Sequence, residues 1–404
     1  MRLNYKPLGN YIKQIKKKNT DGSVTVLKGI RINKEFMESV ANIQGTDLSR
    51  YRVVEKYQFA YNPMHVGRDE ILPISLLLED EPIIVSPAYV IFEILDHNVL
   101  NPEYLMMWCR RSEFDRNVWF TTDSSVRGGF SWESLCELEL PIPSIEKQNE
   151  IVAEYNTIVN RIKLNETLNQ KLEDTAQALY KHWFVDFNFP IDLCHLERSR
   201  EVSLESLNNI DYSKCYKSSG GEMVYNEELD LEIPMGWEVK RLDNVLEFKN
   251  GKKKPGVSGQ YSVYGGNGII DFVNNFNSES IIIVGRVGAY CGSLFLEYDK
   301  CWVSDNAISG YSINDELTYC LYLLQNINIS ERREGTGQPL ITQSLLNEIQ
   351  FVYPSKIIRE VFNFKAEIIQ KNIKNQVLEI EKLRNIESLL LSKMSKADTK
   401  TAVV

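Results

Sequence analysis

The sequence lacks the residue patterns of most enzymes that use metals, disulfides or nucleotides. Its 404 residues include seven cysteines and four histidines, but they form no Cys-x-x-Cys pair and no zinc-ligand spacing. This pattern predicts reduced thiols and no metal site. The G-x-x-x-x-G-K-[ST] motif of P-loop ATPases is missing, and so is the Asn-Pro-Pro-aromatic run with which amino-methyltransferases hold a flipped base.

Long apolar runs are also missing, since no stretch of eighteen apolar residues occurs. No membrane-spanning helix is therefore expected. Residues 1–20 contain lysines but neither an apolar core nor a cleavage pattern, so they do not resemble a signal peptide. These features together predict a cytoplasmic protein.

The net charge of −9 is unevenly distributed along the chain. Residues 191–233 hold ten acids against four bases, whereas residues 1–20 and 249–254 carry bases and no acids. Phosphate binding requires positive charge in one place and not an overall basic protein, so both lysine runs are candidate phosphate contacts. A solvated surface loop would have the same composition.

The chain repeats one plan at a distance of 211 residues. Residues 131–144 align without a gap with residues 342–355, so that Pro143 corresponds to Pro354. A second match relates residues 6–12 to residues 240–246, and a lysine run follows each of them. Because this period is far too long for a solenoid, it predicts a duplicated domain.

Two segments are predicted to form unusually long helices. They run from Ser144 to about Trp183 and from Ser355 to about Met394, and apolar residues recur in both at spacings of three and four. Each would be about 60 Å long at about 1.5 Å per residue. A single apolar stripe on such a helix needs a partner, so we predict that the two helices pack antiparallel. The alternative is that each helix packs only on its own domain.

The two remaining regions, 20–143 and 236–354, alternate short apolar runs with turns and predict α+β domains. Their loops place Asn, Arg and Tyr beside glycines, as in residues 264–268, 285–290 and 304–306. Arg and Lys recognise guanine and Asn and Gln recognise adenine in the major groove. Glycine lets a backbone approach a phosphate closely. The glycine-rich loop could equally be a tight turn, and Arg286 could be a structural ion-pair partner.

This loop chemistry yields a set of candidate DNA-binding residues in both copies. They are Lys16, Lys17, Asn62, Arg68, Ser125, Arg127, Lys252, Lys253, Tyr264, Asn267, Arg286, Tyr290, Asn306, Thr336 and Gln338.

Several motifs resemble those of the specificity subunits of type I restriction-modification enzymes. The most specific are Gln177-Ala-Leu-Tyr-Lys-His-Trp-Phe-Val-Asp-Phe187 and Glu232-Ile-Pro-Met-Gly-Trp-Glu-Val239. Residues 139–148, 263–268 and 303–307 also fit the family pattern. The second copy departs from this pattern at residues 355–360, where the glutamine of the first junction is lost.

The resemblance implies an α+β protein with two pseudo-symmetric target-recognition domains, separated by two long antiparallel helices like those of a coiled coil. The expected boundaries are a first recognition domain at 1–143, a central helical spacer at 144–190, an acidic linker at 191–235, a second recognition domain at 236–354 and a distal helical spacer at 355–396.

The resemblance further implies that each recognition domain reads half of a bipartite site in double-stranded DNA. The partners would be two methyltransferase subunits and the ATP-dependent restriction and translocase subunits. Such a chain is non-catalytic and holds no cofactor, while S-adenosylmethionine, ATP and Mg²⁺ belong to the partners. The expected partner-binding residues are Gln148, Glu154, Arg161, Tyr180, Trp183 and Phe184. Two alternatives remain open: a catalytic DNA methyltransferase or nuclease, and a coiled-coil scaffold without a DNA role.

Overall fold

The computed structural model describes residues 5–39, 46–64, 70–122, 129–194, 210–334 and 339–394. The chain divides into two compact units. The first comprises Met1–Asn165 together with Glu379–Val404, and the second comprises Glu166–Leu378.

The first unit is built on a four-stranded antiparallel sheet of order β2-β9-β6-β7, with the pairs β3-β4, β5-β8 and β1-β10 beside it. Its strands are β1 Tyr5–Pro7, β2 Ile12–Ile15, β3 Lys28–Ile30, β4 Phe36–Glu38, β5 Arg52–Val54, β6 Phe59–Tyr61, β7 Ile74–Leu76, β8 Ile83–Val85, β9 Val90–Ile94 and β10 Glu139–Pro141. Its helices are α1 Pro102–Cys109, α2 Ser112–Thr121, α3 Trp132–Glu137 and the first part of α4 Ile145–Tyr180.

The second unit repeats this arrangement with a four-stranded sheet of order β14-β20-β17-β18, and adds the sheet β16-β15-β19 and the pairs β11-β12 and β13-β21. Its strands are β11 Met223–Asn226, β12 Leu231–Pro234, β13 Glu238–Arg241, β14 Leu246–Asn250, β15 Ser258–Gly265, β16 Gly268–Val273, β17 Ile281–Gly285, β18 Leu294–Glu297, β19 Trp302–Val303, β20 Ala307–Ser312 and β21 Gln350–Tyr353. Its helices are α5 Leu317–Ile327, α6 Gln343–Glu348 and α7 Lys356–Lys393, of which α7 ends in the first unit.

The predicted duplication is confirmed at the level of individual hydrogen bonds. The Leu8 amide donates to the Leu138 carbonyl at 2.8 Å, and the Leu242 amide donates to the Ile349 carbonyl at 2.9 Å. The short helices α3 and α6 begin in the same way, because the side chains of Ser131 and Thr342 each accept a hydrogen bond from a backbone amide three residues later. Both pairs follow the alignment of the repeat.

One of the two central strands in each four-stranded sheet is buried on both faces. In β6, Phe59 and Tyr61 enter one apolar cluster and Ala60 enters another. In β17, Ile282 and Val284 enter one cluster, while Ile281 and Ile283 enter a second. Because side chains alternate along a strand, a continuous apolar run is what a strand covered on both faces requires.

The largest core belongs to the second unit and is centred on Phe362 of α7. This fully buried ring lies 5.6 Å from the Tyr180 ring, 5.1 Å from Phe184 and 6.3 Å from Tyr319, measured between centroids. The end of α4 thus packs against α7 and α5 through aromatic contacts. The residues that directly follow α4, Lys181–Val185, form a π-helical turn that directs Trp183 and Phe184 into this core.

The long helices run antiparallel within each unit, as predicted. In the first unit the Tyr155 hydroxyl donates to Glu387 at 2.6 Å, and the Arg161 guanidinium donates to Glu379 at 3.0 Å. In the second unit the Gln370 amide donates to Glu173 at 2.8 Å. As the residue number rises along α4, the number of its partner on α7 falls.

The units differ from the predicted domain scheme in where the helices belong. Parts of α4 and α7 pack on each recognition sheet, so each unit includes helical segments. The described part of the expected acidic linker, 210–235, also belongs to the second unit, because Ile210 and Ile233 lie in its core and β11 and β12 form a hairpin. None of the described helices combines the length and low polarity that crossing a bilayer demands.

The Phe362→Ala variant should lose about 3–5 kcal/mol of unfolding free energy in the second unit, because truncation of a buried aromatic residue leaves a cavity. Urea unfolding monitored by far-UV circular dichroism measures this change. Phe364, two residues along α7, is 58% exposed, so the control Phe364→Ala should change stability by about 0.5 kcal/mol or less. Equal losses in the two variants would contradict the packing described here.

Candidate nucleic-acid interface

Four loops of the second unit converge at one end of its main sheet. Three of them follow strands β14, β15 and β17, and the fourth precedes β20. The Gly251 amide donates to the Ala307 carbonyl at 3.0 Å, and the Arg286 amide donates to the Asn306 carbonyl at 2.9 Å. The Lys252 amide donates to the Val303 carbonyl at 3.0 Å. The lysine run, the Arg286 loop and the Asn306 turn are therefore held together by their backbones.

Two glycines make this close approach possible. A methyl group on Gly251 would lie 1.9 Å from the Ser304 carbonyl oxygen, and one on Gly285 would lie 2.4 Å from the Tyr290 carbonyl oxygen. Both distances are well inside van der Waals contact, so no larger residue fits without displacing a backbone. Sequence analysis placed both glycines in candidate loops, and these close contacts explain why glycine is required at the two positions.

A fifth segment is tied to the same surface. The Ile341 amide donates to the Arg286 carbonyl at 2.9 Å, and the Gly288 amide donates to the Pro339 carbonyl at 3.2 Å. Thr336 and Gln338, two of the predicted DNA-binding residues, lie outside the described residues. The residues that flank them, Glu334 and Pro339, belong to this group of loops.

Several predicted residues present polar groups on this surface, which we call the loop face. Lys252, Lys253, Asn267 and Asn306 are exposed, and Tyr290 is 54% exposed. Within the described part of the chain, neither lysine forms an ion pair; Lys254, in contrast, pairs with Asp271. The loop face therefore offers positive charge together with amide and hydroxyl groups that can act as donors or acceptors.

Arg286 is the partly buried polar residue of the loop face. Its Nε atom is buried and has no hydrogen-bond partner among the described residues, and no carboxylate there forms an ion pair with it. The structure thus gives no support to a role as a structural ion-pair partner. A guanidinium with an unused donor fits an external acceptor, because leaving a buried donor unpaired costs about 1–3 kcal/mol.

The burial of Tyr264 contradicts the prediction that this residue contacts DNA. Its side chain is only 7% exposed, and its hydroxyl donates to Glu297 at 2.9 Å. Burial, followed by the charge of Glu297, raises the pKa of Tyr264 far above its usual range. Its hydroxyl is therefore satisfied inside the protein.

The first unit carries the corresponding candidates on the corresponding loops. Lys16 and Lys17 are exposed beyond β2, and Lys17 forms an ion pair of 2.8 Å with Glu55 that raises its pKa. Asn62 follows β6, half-buried, and its side chain accepts a hydrogen bond from the Met64 amide at 3.0 Å. Arg68, Ser125 and Arg127 lie outside the described residues.

The loop after β6 in the first unit is held by a backbone hydrogen bond that corresponds to one in the loop after β17. The Phe130 amide donates to the Pro63 carbonyl at 2.9 Å, as the Ile341 amide does to Arg286. The two copies thus present loops on the same framework. Among the described residues, Lys17 of the first copy is paired with Glu55, whereas Lys252 and Lys253 of the second copy form no ion pair, so the two copies present different charge.

Four of the six predicted partner-binding residues are buried within their own units. Tyr180, Trp183 and Phe184 belong to the aromatic core around Phe362, and Gln148 is fully buried with its amide bonded to backbone atoms. A partner cannot reach these side chains, so the prediction is corrected for them.

The other two predicted partner-binding residues are accessible. Glu154 and Arg161 are exposed on α4, and Arg161 forms its ion pair with Glu379. The motif that carries Tyr180, Trp183 and Phe184 is therefore a core motif, and the exposed positions between core residues remain available to a partner.

Trp302 is a residue of the loop face that the sequence analysis missed. Its indole nitrogen donates to the Lys252 carbonyl at 3.0 Å and braces the lysine run against β19. The available indication was its place directly before Val303 and Ser304, in a segment already selected for Asn306. Across the described ranges, no group of three or more potential ligand side chains could hold a metal ion.

The fold and the sequence agree with one family of proteins. Residues 234–389 match the family model of the type I restriction modification DNA specificity domain. The type I restriction enzyme MjaIX specificity subunit of Methanocaldococcus jannaschii is 26% identical over 293 residues, covering 65% of this chain and 60% of that relative. That match thus spans less than two thirds of the relative's length.

Two further similarities extend over nearly the whole chain. The type I restriction enzyme HindI specificity subunit of Haemophilus influenzae is 22% identical over 434 residues, covering 92% of this chain and 93% of the relative. The crystal structure of the type I restriction-modification S subunit from M. genitalium has the same fold, with a TM-score of 0.60, 15% identity and coverage of 96% and 95%. Residues 234–389 are thus similar in sequence to the type I DNA specificity domain, nearly the whole chain is similar to the HindI specificity subunit, and the fold is that of the M. genitalium S subunit.

The Gly251→Ala variant should loosen the loop face without unfolding the second unit. The added methyl group clashes with the Ser304 carbonyl, so amide hydrogen exchange should accelerate in peptides that cover residues 249–254 and 302–306. Gly256→Ala is the matched control, because no atom lies within 4 Å of the added group. Unchanged exchange in Gly251→Ala would show that the two loops are not held together in this way.

Proposed function

We propose that this chain is the sequence-reading subunit of a type I restriction-modification complex and that each unit reads one half of a bipartite DNA site. The loop face of the second unit carries this proposal. It brings Lys252, Lys253, Asn267 and Asn306 together with Arg286, whose Nε atom has no partner among the described residues, on one hydrogen-bonded framework, and the first unit repeats that framework.

The chemistry of the loop face divides into two kinds of contact. The lysines suit phosphates, which supply affinity without sequence information. Arg286 and the two asparagines suit base edges, because guanine and adenine present matching donors and acceptors in the major groove. Loops held by a sheet can change in sequence without loss of the framework, which suits a protein whose task is to distinguish sequences.

The catalytic steps are assigned by this proposal to other subunits. The chain would direct methyltransferase and restriction subunits to the site, and S-adenosylmethionine, ATP and Mg²⁺ would act on those partners. Its place of action would be the cytoplasm. Purified alone, the chain should not methylate or cleave DNA, and addition of its cognate modification subunits should produce site-specific methylation. Methylation or cleavage by the chain alone would instead support a catalytic enzyme.

The exposed apolar residues of α7 are the proposed contacts for a modification subunit. In the second unit, Phe364 and Ile368 lie one helical turn apart and are 58% and 48% exposed. Exposed apolar pairs of this kind mark interaction surfaces more often than isolated ones do. They lie beside the buried stripe of α7, where Phe362 and Ala366 face the core.

Substitution of both residues, Phe364→Ser with Ile368→Ser, should weaken binding of the modification subunit about tenfold or more, since each apolar side chain buried at an interface contributes about 1.5–3 kcal/mol. Isothermal titration calorimetry measures the change. The control Asn372→Ser with Asn375→Ser alters two exposed polar positions of the same helix. Equal affinity in the two double variants would place the partner elsewhere.

Base reading and phosphate binding can be separated by two single substitutions on the loop face. Arg286→Ala should cost about 1–3 kcal/mol on the preferred sequence and relax the preference at one base pair. Lys253→Ala should weaken binding on all sequences and reduce the slope of log K against log salt by about 0.9. Duplex titrations at several salt concentrations measure both effects.

Lys382→Ala removes the same charge from an exposed position on α7 and serves as the control. Binding that is insensitive to salt in the unmodified protein would support a scaffold without a DNA role.

A further inference from the structure

The first turn of α4 is fixed to its recognition domain by one buried side chain. Gln148 is fully buried, and its Oε1 atom accepts a hydrogen bond from the Asn101 amide at 2.8 Å. Its Nε2 atom donates to the Pro143 carbonyl at 2.8 Å and to the Val99 carbonyl at 2.9 Å. One amide thus joins the start of the long helix to the junction before it and to the residue that caps α1.

The first turn of α7 is fixed in the corresponding way, but with ionic chemistry. Arg359 is only 4% exposed, and its Nε atom donates to the Glu316 carboxylate at 2.8 Å. The guanidinium also donates to the Pro354 carbonyl and lies 3.9 Å from the centroid of the Tyr353 ring. Glu316 immediately precedes α5, as Asn101 immediately precedes α1.

The repeat aligns the helix side of one joint with the helix side of the other. At the distance of 211 residues, Gln148 corresponds to Arg359 and Pro143 corresponds to Pro354. The loss of glutamine in the second copy therefore does not mean the loss of the joint. A buried arginine in place of glutamine would be strongly unfavourable alone, and Glu316 supplies the compensating charge at the position that Asn101 occupies in the first copy.

We propose that Gln148 and the pair Arg359–Glu316 are positioning residues that fix the direction of each long helix relative to the recognition sheet it leaves. If each unit reads one half-site, as proposed above, these joints set how sharply the complex discriminates between gap lengths in the bipartite site. The proposal rests on that function and adds the residues that control gap discrimination.

The test is a comparison of Arg359→Gln with the double variant Glu316→Asn, Arg359→Gln, each assembled with its modification subunits. Affinity is measured on duplexes that carry the methylated site mapped in the host and gaps lengthened or shortened by one base pair. Arg359→Gln leaves Glu316 buried without its partner, so the penalty for a wrong gap should fall several-fold, with the base preferences of both half-sites retained. The double variant reproduces the first copy's residues and should restore the penalty.

Two surface variants serve as matched controls. Lys356→Gln lies in the same turn as Arg359 and Lys147→Gln lies beside Gln148. Each lysine forms an ion pair with an exposed glutamate, Lys356 with Glu360 and Lys147 with Glu150. Both should keep the gap preference of the unmodified protein. Gln148→Ala should reduce it in the same manner as Arg359→Gln.

The outcomes separate the joint from the function on which it rests. An unaltered gap penalty in Arg359→Gln and Gln148→Ala, or an equal loss of affinity on every gap length, would overturn the positioning role and leave sequence reading intact. Failure of the unmodified complex to prefer any gap or sequence would overturn the proposed function itself.

Discussion

A helix of nearly forty residues with a single apolar face is stable in water only where other surfaces cover that face. In this protein α4 and α7, with 36 and 38 residues, meet this requirement by packing antiparallel on each other and on the sheets. The Tyr155–Glu387 bond in one unit and the Phe362 core in the other are two parts of this arrangement. Each unit thus consists of a recognition sheet together with the start of one long helix and the end of the other.

Duplication explains why the two units share so many backbone bonds and yet differ in their surfaces. The bonds of Leu8 and Leu242, the caps at Ser131 and Thr342, and the order of the four-stranded sheets belong to the common framework. Among the described residues, the first unit has the pairs β3-β4 and β5-β8 beside its main sheet, whereas the second unit has the three-stranded sheet β16-β15-β19. The differences are concentrated in the segments between framework strands, where two target sequences would have to be told apart.

The sequence was sufficient for the duplication, the long helices and the general location of the loops, because these features depend on periodicity and on spacing along the chain. It was not sufficient to separate exposed from buried aromatic residues within a motif. Tyr264 stands beside glycines and looks like a loop residue, but it lies within β15 and its hydroxyl donates to Glu297 of β18.

Two other features depend on contacts that spacing does not reveal. Trp183 and Phe184 looked like partner contacts because their motif is characteristic, whereas a π-helical turn directs them inward. The compensation of Arg359 by Glu316 joins residues 43 positions apart and becomes visible only when α5 and α7 are in place.

The pairing of β1 with β10, and of β13 with β21, brings the beginning and the end of each recognition domain side by side. Insertions, deletions or wholesale replacement of the chain between these paired strands need not shift the helix that follows. Such an arrangement allows a lineage to acquire a new DNA target by exchanging one internal segment, while the surfaces that hold the rest of the assembly are inherited unchanged.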